Sequence, residues 1–315
     1  MMIACCRAAV LTAVLATAAA CSMAGPPVGP PPSEVPIGHP LQGVIWDSRA
    51  QAEITPETLV ARLSEVDIAI LGEIHDNPVH HERQAWLVGR LQPRGLAFEM
   101  VPEASERGIA VFRAQGGEAG EIGPAIGWDA LGWPDWSLYA PIFEAAGDAV
   151  ITGGGVERVQ IIRAIREGAA AAYGPGAVDA GLEKALPASD QAVLEAEMIA
   201  AHCDLLPASA APGMVEAQRL RDARFALAAL RAQDGGGGRA VLITGNQHAR
   251  TDSGAPAYLA RLEPELSVLS LGQIEVIGGQ NEVGRYDPAS GGGPYDFIWF
   301  SGGVPGRGDP CDAFR

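Results

Sequence analysis

One stretch sets the expected architecture of this chain: Ile70-Leu71-Gly72-Glu73-Ile74-His75. Its apolar residues show no polar alternation, which is typical of a strand buried on both faces of a parallel sheet. Two further stretches have the same form, Gly95-Leu96-Ala97-Phe98-Glu99 and Val241-Leu242-Ile243-Thr244-Gly245-Asn246-Gln247-His248. Each one places acidic or imidazole side chains just beyond an apolar run, so the pattern indicates both a fold and a site.

Strands and helices are predicted to alternate along the chain. We expect strands near residues 67–72, 95–99, 148–152, 240–245, 267–271 and 297–300. We expect helices near residues 56–64, 78–92, 104–117, 136–146, 156–167, 189–203, 213–233 and 255–262. This alternation predicts an α/β fold with a mostly parallel sheet flanked by helices. The segments at about 104–145 and 189–233 contain more helix than crossovers need, so we predict a small helical subdomain beside the sheet.

The first twenty residues are typical of a targeting segment rather than of folded structure. Arg7 precedes an apolar stretch, and small residues stand directly before Cys21. The arrangement resembles a bacterial lipoprotein signal, which implies acylation of Cys21 (for example by palmitate), membrane anchoring and a place in the bacterial cell envelope. Ordinary cleavage without lipid is the alternative. Residues 21–40 are rich in Pro and Gly and predict a tether, so the folded body is expected at 41–315.

The composition argues against several classes of function. The net charge is −16 and basic residues form no cluster, so nucleic-acid binding is not expected. The same acidity argues against electrostatic docking on anionic lipid. If Cys21 is acylated, Cys203 and Cys311 remain as the pair that an oxidising compartment would allow to form a disulfide.

The predicted strand ends contain the candidate site. Ligands of open parallel sheets bind outside the carboxyl ends of the strands, where we expect Glu73, His75, Glu99 and His248. A Gly-x-x-His spacing occurs twice, ending at His75 and at His248. Carboxylates and imidazoles bind divalent metal ions or transfer protons. One hypothesis is therefore a metal-dependent hydrolase, in which Glu73, His75 and His248 hold the cation and Glu99 is the general base.

These residues also have purely structural interpretations. Glu73 can cap a helix start, Glu99 can pair with a nearby arginine, and Asp222 can pair with a neighbouring arginine. His80 and His81 are expected to be solvated residues of the following helix, although His80 could line the rim of the site. Tyr139 is predicted near the site, and a phenolate can bind ferric iron. Packing of Tyr139 in the core is the alternative.

Several blocks of sequence together resemble the ChaN-like haem-binding lipoproteins and follow the order found in that family. The blocks include Leu71-Gly72-Glu73-Ile74-His75-Asp76-Asn77, Phe98-Glu99-Met100, Trp136-Ser137-Leu138-Tyr139-Ala140-Pro141, Arg221-Asp222-Ala223 and Leu242-Ile243-Thr244-Gly245-Asn246-Gln247-His248-Ala249-Arg250. The wider group includes the Tiki proteases, TraB-like proteins and erythromycin esterases, which share paired Gly-x-x-His motifs and an acidic residue.

The resemblance implies a lipoprotein that binds haem during iron uptake, in a cleft at the carboxyl edge of the sheet. It also implies a homodimer around stacked haems with a tyrosine on the iron, for which Tyr139 is our first assignment and Tyr173 the second. Arg250 or Arg221 would offset the carboxylates of haem in this acidic chain, and His80 is a further candidate contact. Metal-dependent hydrolysis of a peptide or ester is the alternative function.

Overall fold

The computed structural model describes residues 29–286, 294–309 and 311–312. Within these ranges the strands are β1 (Ile45–Asp47), β2 (Ala52–Ile54), β3 (Ile68–Glu73), β4 (Gly95–Pro102), β5 (Val150–Gly155), β6 (Ala240–Gly245), β7 (Val268–Glu275) and β8 (Phe297–Ser301). They form one sheet in the order β2-β1-β8-β7-β3-β6-β4-β5. Strands β3 to β8 are parallel, and β1 and β2 extend one edge in antiparallel pairing.

Helices cover both faces of the sheet. The α-helices of the described ranges are α1 (Pro56–Leu63), α2 (Pro78–Leu91), α3 (Glu106–Ala114), α4 (Ile122–Ile126), α5 (Trp136–Ala145), α6 (Arg158–Glu167), α7 (Ala169–Tyr173), α8 (Ala188–Ala201), α9 (Ala211–Gly236) and α10 (Ala255–Leu262). Short 3₁₀ helices occur at Glu103–Ser105, Ala119–Glu121, Trp128–Leu131, Asn246–Ala249 and Val283–Arg285. The predicted α/β fold is confirmed, with a mostly parallel sheet flanked by helices.

The burial of the central strands β3 and β6 explains why their sequences are apolar runs without polar alternation. Every residue of both strands is buried, because one apolar layer covers each face of the sheet. Leu220 and Phe225 of α9 belong to one layer, and Leu87 of α2 and Phe143 of α5 belong to the other. A strand that buries both faces needs apolar side chains in both directions, so its sequence shows no alternation.

Helix α9 joins one face of the sheet to its carboxyl edge. Its buried alanines, such as Ala228 and Ala232, pack against β4 and β5. Its N-terminal half extends past the ends of the strands and reaches the 3₁₀ helix Asn246–Ala249, where Asp222 contacts His248. The same half presents Arg221 at this edge. Helix α9 therefore contributes side chains to the site as well as to the core.

The opposite face of the sheet is covered by α2 and α5. Asn77 caps α2, since its side chain accepts a hydrogen bond from Val79 N and Pro78 occupies the first helical turn. Asp135 caps α5 in the same way, by accepting from Ser137 N. These two helices pack together and bring Tyr139 beneath the end of β3.

Both ends of the described chain are fastened to the body. Within the predicted tether, Gly29 O accepts a hydrogen bond from Trp86 Nε1 (2.8 Å), and Glu34 forms a buried ion pair with Arg83. The predicted signal segment and Cys21 lie outside the described residues. The disulfide that the sequence allows is present, with Cys203 and Cys311 joined at a Cα–Cα distance of 5.7 Å.

No helix in the described ranges combines the length and the apolar character that crossing a membrane requires.

Candidate functional site

Three adjacent strand ends create the site. Strand β6 lies between β3 and β4, so the carboxyl ends of all three meet at one edge. Glu73, the last residue of β3, pairs in register with Gly245, the last residue of β6. Glu99 of β4 accepts hydrogen bonds from Thr244 Oγ1 and from Gly245 N, each 2.7 Å from its Oε2. The predicted convergence of strand-end residues follows directly from this strand order.

The first cluster is centred on Glu73. Its Oε1 lies 2.7 Å from His75 Nδ1 and accepts a hydrogen bond from the hydroxyl of Tyr139 at 2.8 Å. His81 Nδ1 lies 3.3 Å from the other carboxylate oxygen, and His81 Nε2 donates to His75 O. Glu73 is fully buried, whereas the imidazole of His75 is 34% exposed. The cluster thus holds the imidazole of His75 where solvent can reach it.

The charges of this cluster stabilise one another. Burial alone would raise the pKa of Glu73, but His81 and His75 outweigh that effect and the pKa lies below its ordinary value. Burial alone would lower the pKa of His75, yet the hydrogen bond and charge of Glu73 raise it to about 9. Burial and the nearby Glu73 carboxylate together raise the pKa of Tyr139, so its hydroxyl stays protonated.

The second cluster joins β4, β6 and α9. His248 Nδ1 lies 2.7 Å from Asp222 Oδ1, and His248 Nε2 lies 3.5 Å from Glu99 Oε1. Gln218 Nε2 approaches His248 Nδ1 at 3.2 Å. Burial raises the pKa of Asp222 to about 6 even though His248 opposes the shift, and the two carboxylates raise the pKa of His248 against its own burial. His248 therefore lies between two buried carboxylates, those of Glu99 and Asp222.

Gly245 allows the two clusters to approach each other. A Cβ atom at this position would lie 3.0 Å from His75 Nε2 and 3.6 Å from Glu99 Oε2. Gly72 has a similar role one strand away, because a Cβ there would lie 2.4 Å from Asn246 Oδ1. Both Gly-x-x-His spacings thus begin with a glycine that a larger residue could not replace without movement of its neighbours.

Both clusters face one cavity of about 650 Å³ at the carboxyl edge of the sheet. His75, Glu99 and His248 are among the residues that line it, as the sequence predicted. The apolar part of the lining comes from Met100, Leu131, Trp133, Val156, Ile161 and Phe225. Arg158 and Arg221 also line the cavity, and neither forms an ion pair or hydrogen bond with the residues that the structure describes. Glu157 lines the cavity as well, so the cavity combines apolar walls, cationic and acidic groups, and an exposed imidazole.

The other predicted contacts lie outside this cavity. Tyr139 is fully buried beneath Glu73, and Tyr173 ends α7, where the guanidinium of Arg224 lies 4.3 Å from its ring centroid. Arg250 is engaged by Asp252 (2.7 Å) and Glu197 (3.2 Å). None of these three predicted contacts lines the cavity.

The expectation that His80 and His81 are solvated is wrong, because both imidazoles are buried. His80 Nδ1 accepts a hydrogen bond from Ile74 N (2.9 Å), and its Nε2 lies 2.8 Å from Ser301 Oγ. Burial holds the pKa of His80 well below its ordinary value, so this neutral ring fixes the loop after β3. Helix α2 faces the core here, which the run of polar residues at its start had concealed.

The structural alternatives for two residues of the site are not found among the described residues. Asp222 does not pair with a neighbouring arginine but orients His248. Glu99 does not pair with an arginine either, because Thr244, Gly245 and His248 surround its carboxylate. In the ranges that the structure describes, no group of three or more His, Cys, Asp and Glu side chains is arranged to hold a metal ion.

Comparisons with known proteins agree with this architecture. Residues 59–259 match the family described as haem-binding uptake, Tiki superfamily, ChaN. The fold is similar to that of ChaN from Campylobacter jejuni, whose structure concerns cofacial haem binding; the TM-score is 0.61 at 17% identity, with 81% of this chain and 95% of that chain covered. The type III effector HopBA1 has a TM-score of 0.39 at 12% identity, with 79% and 93% covered, too low to support an argument. No curated protein matches the chain.

Proposed function

Because this chain belongs to ChaN, the haem-binding uptake family of the Tiki superfamily, we propose that it binds haem in the cavity at the carboxyl edge of its sheet. One observation supports this location most strongly. In a chain of net charge −16, Arg158 and Arg221 line a cavity without forming ion pairs in the described ranges, and its walls are largely apolar apart from two histidines, Glu99 and Glu157. An apolar ring that bears two carboxylates matches that combination.

The lining residues fit the chemistry of haem. A cavity of about 650 Å³ lies within the range of about 300–1,000 Å³ that is typical of small-molecule sites. Trp133, Phe225 and Ile161 would contact the porphyrin ring, and burying that ring would supply most of the binding energy. Arg158 and Arg221 would hold the propionates by charge-assisted hydrogen bonds. Haem, when bound, would supply a redox-active iron to the protein.

Titration of the purified protein with haemin tests this proposal. We expect a shifted Soret band that saturates, and a weaker complex when Arg221 is changed to Glu, by about tenfold or more because one charge-assisted contact is replaced by repulsion. Arg163→Glu is the matched control, since Arg163 lies on α6 but is 53% exposed and pairs with Glu167 away from the lining. Absence of a saturable shift, or equal affinity in both variants, would argue against the site.

We do not propose metal-dependent hydrolysis as a second function of this protein. Its ligand set needs Glu73, but this carboxylate is buried behind His75 and is already engaged by His75 and Tyr139. Glu73 does not line the cavity, so a cation held there could not contact a substrate without rearrangement of the cluster. The geometry thus supports binding of a cofactor-sized ligand better than hydrolysis.

We also propose that a lipid on Cys21 anchors the protein at the cell envelope. The lipoprotein-like segment before Cys21 and the following Pro- and Gly-rich residues support it, and the Cys203–Cys311 disulfide is of a kind that forms in oxidising compartments. Metabolic labelling with a palmitate analogue should mark the full chain and leave Cys21→Ser unlabelled. If neither protein is labelled, the chain carries no palmitate anchor.

Light scattering with and without haemin tests the homodimer that the resemblance implies.

A further inference from the structure

We propose that a second cavity, next to the haem cavity, binds a small zwitterion, namely a free amino acid or a short peptide. This cavity has a volume of about 300 Å³ and lies at the carboxyl end of β5, between β4, α6 and α9. Its wall is formed by residues 102–104, 153–157 and 160, together with Arg224 and Arg231. It shares Pro102 and residues 155–157 with the haem cavity, so the two cavities are neighbours.

Arg224 supplies the positive charge for this site. Its guanidinium lies 4.3 Å from the ring centroid of Tyr173, and its Nη2 donates a hydrogen bond to Tyr173 O at 2.8 Å. These two contacts orient the guanidinium, so Tyr173 is a positioning residue. Arg224 is half-buried and forms no ion pair with the residues that the structure describes. An oriented cation of this kind is prepared to bind a carboxylate of a ligand.

Glu157 supplies the negative charge. It stands directly before α6, but its side chain does not cap the helix by a hydrogen bond. Its exposed carboxylate also forms no ion pair with the described residues. Glu157 and Arg224 line the same cavity and yet do not pair with each other. The fold thus leaves one charge of each sign on a single wall, and an ammonium and a carboxylate of one ligand would neutralise both.

The other charged residues of the wall are already partnered. Arg231 donates hydrogen bonds to Glu106 Oε1 at 2.8 Å and to Gly153 O at 2.9 Å. Its Nη1 lies 3.8 Å from Glu103 Oε2, and the side chain of Glu103 is 61% exposed. Arg231 therefore needs no further acid from a ligand.

The charge balance of the wall favours a zwitterion over a simple ion. The charged residues that line the cavity are two arginines and two glutamates, so their formal charges cancel. A pure anion would satisfy Arg224 but meet two uncompensated acids, and a pure cation would leave Arg224 unpaired. A ligand with one charge of each sign leaves neither group alone. The volume of about 300 Å³ lies at the lower end of the range typical of small-molecule sites, which suits a ligand smaller than haem.

Thermal unfolding of the full chain, with a panel of the common L-amino acids, dialanine and trialanine as probes, tests the proposal. We expect at least one probe to raise the melting temperature in a saturable manner, and calorimetric titration then gives its affinity. The deaminated and the decarboxylated analogues of that probe should each bind about tenfold or more weakly, because each lacks one charged contact. A response to amino acids alone, or to peptides alone, identifies the source of the ligand.

Matched variants locate the binding site. Arg224→Gln and Glu157→Gln should each weaken binding of the best probe by about tenfold or more. Arg163→Gln and Glu167→Gln are the controls, because these residues form an exposed ion pair on α6 that lines neither cavity. If Arg224→Gln does not fold, Glu157→Gln still decides, since this exposed carboxylate has no partner to lose.

Three results would overturn the zwitterion site. They are the absence of a response to every probe, equal binding of the deaminated or decarboxylated analogue, and wild-type affinity in Glu157→Gln. The Soret titration with haemin is a separate measurement on the neighbouring cavity, so failure of one proposal is distinguishable from failure of the other.

Discussion

Asp222 and His248 form a buried pair in which Oδ1 of the acid lies 2.7 Å from Nδ1 of the imidazole. The pair connects α9 to the loop after β6, and both side chains are at most 8% exposed. It also fixes which nitrogen of His248 faces Glu99 and the cavity. The helix that covers the sheet is thereby joined to the residues that line the site.

Replacing Asp222 by Asn should lower the free energy of unfolding at pH 7 by about 2–4 kcal/mol, because a buried ionic partner of His248 is lost. Urea denaturation measures this change. Asp252→Asn is the control, since Asp252 is 54% exposed and its loss should cost less than about 1 kcal/mol. Equal effects of the two variants would show that the Asp222–His248 pair does not stabilise the fold.

The pH dependence of stability should report on His75. Its pKa in the fold, about 9, lies above the ordinary 6.5, so the folded protein holds the proton more tightly than the unfolded chain. This contribution is complete below pH 6.5 and disappears as the pH rises through 9. After allowance for partial exposure, we expect it to be on the order of 1 kcal/mol.

Denaturation of the haem-free protein at pH 6 and pH 9.5 measures the effect. The wild type should lose stability relative to His75→Gln between these two values, because only the wild type retains the titrating group. A difference between the two proteins that stays constant with pH would contradict the raised pKa of His75.

Gly245→Ala should disturb the site more than the fold. The added Cβ would lie 3.0 Å from His75 Nε2, so the ring must move, and we expect weaker haemin binding by about threefold to tenfold. Gly278→Ala is the control, because nothing lies within 4 Å of a Cβ at that position. Unchanged haemin affinity in Gly245→Ala would show that the position of the His75 ring is unimportant for binding.

Loss of the Cys203–Cys311 disulfide should destabilise the protein without changing the haem site. The bridge spans 108 residues of sequence, for which loop-closure entropy gives about 4–5 kcal/mol, at the upper end of the roughly 2–5 kcal/mol that removal of a native bridge typically costs. Thermal unfolding of Cys311→Ser measures the loss, and its haemin affinity should match the wild type. A melting temperature equal to that of the oxidised wild type would contradict this expectation.

Much of the architecture was predictable because the central strands bury both faces. The apolar runs at Ile68–Glu73 and Ala240–Gly245 gave both their position and their parallel arrangement. Strands β1 and β2 were not predicted, since three residues are too few to produce a pattern. The meeting of His75, Glu99 and His248 followed from topology alone, because parallel strands end at one edge.

Side chains supplied by helices were harder to predict. Whether a helical residue faces the core or the cavity depends on how the helix is rotated on the sheet, and the sequence does not contain that angle. Tyr139 therefore looked like a ligand but is buried beneath Glu73, and Asp222 looked structural but orients His248. Arg221 was named as one of two candidate cations, and the structure brings only this one into the cavity.

The central claim is that haem occupies the cavity formed by the ends of β3, β4 and β6. An anomalous difference map at the iron absorption edge, from crystals soaked with haemin, tests it most directly. We predict one iron peak per chain inside the cavity. An iron peak beside Tyr173 or on the outer surface, with the cavity lacking haem density, would contradict the account.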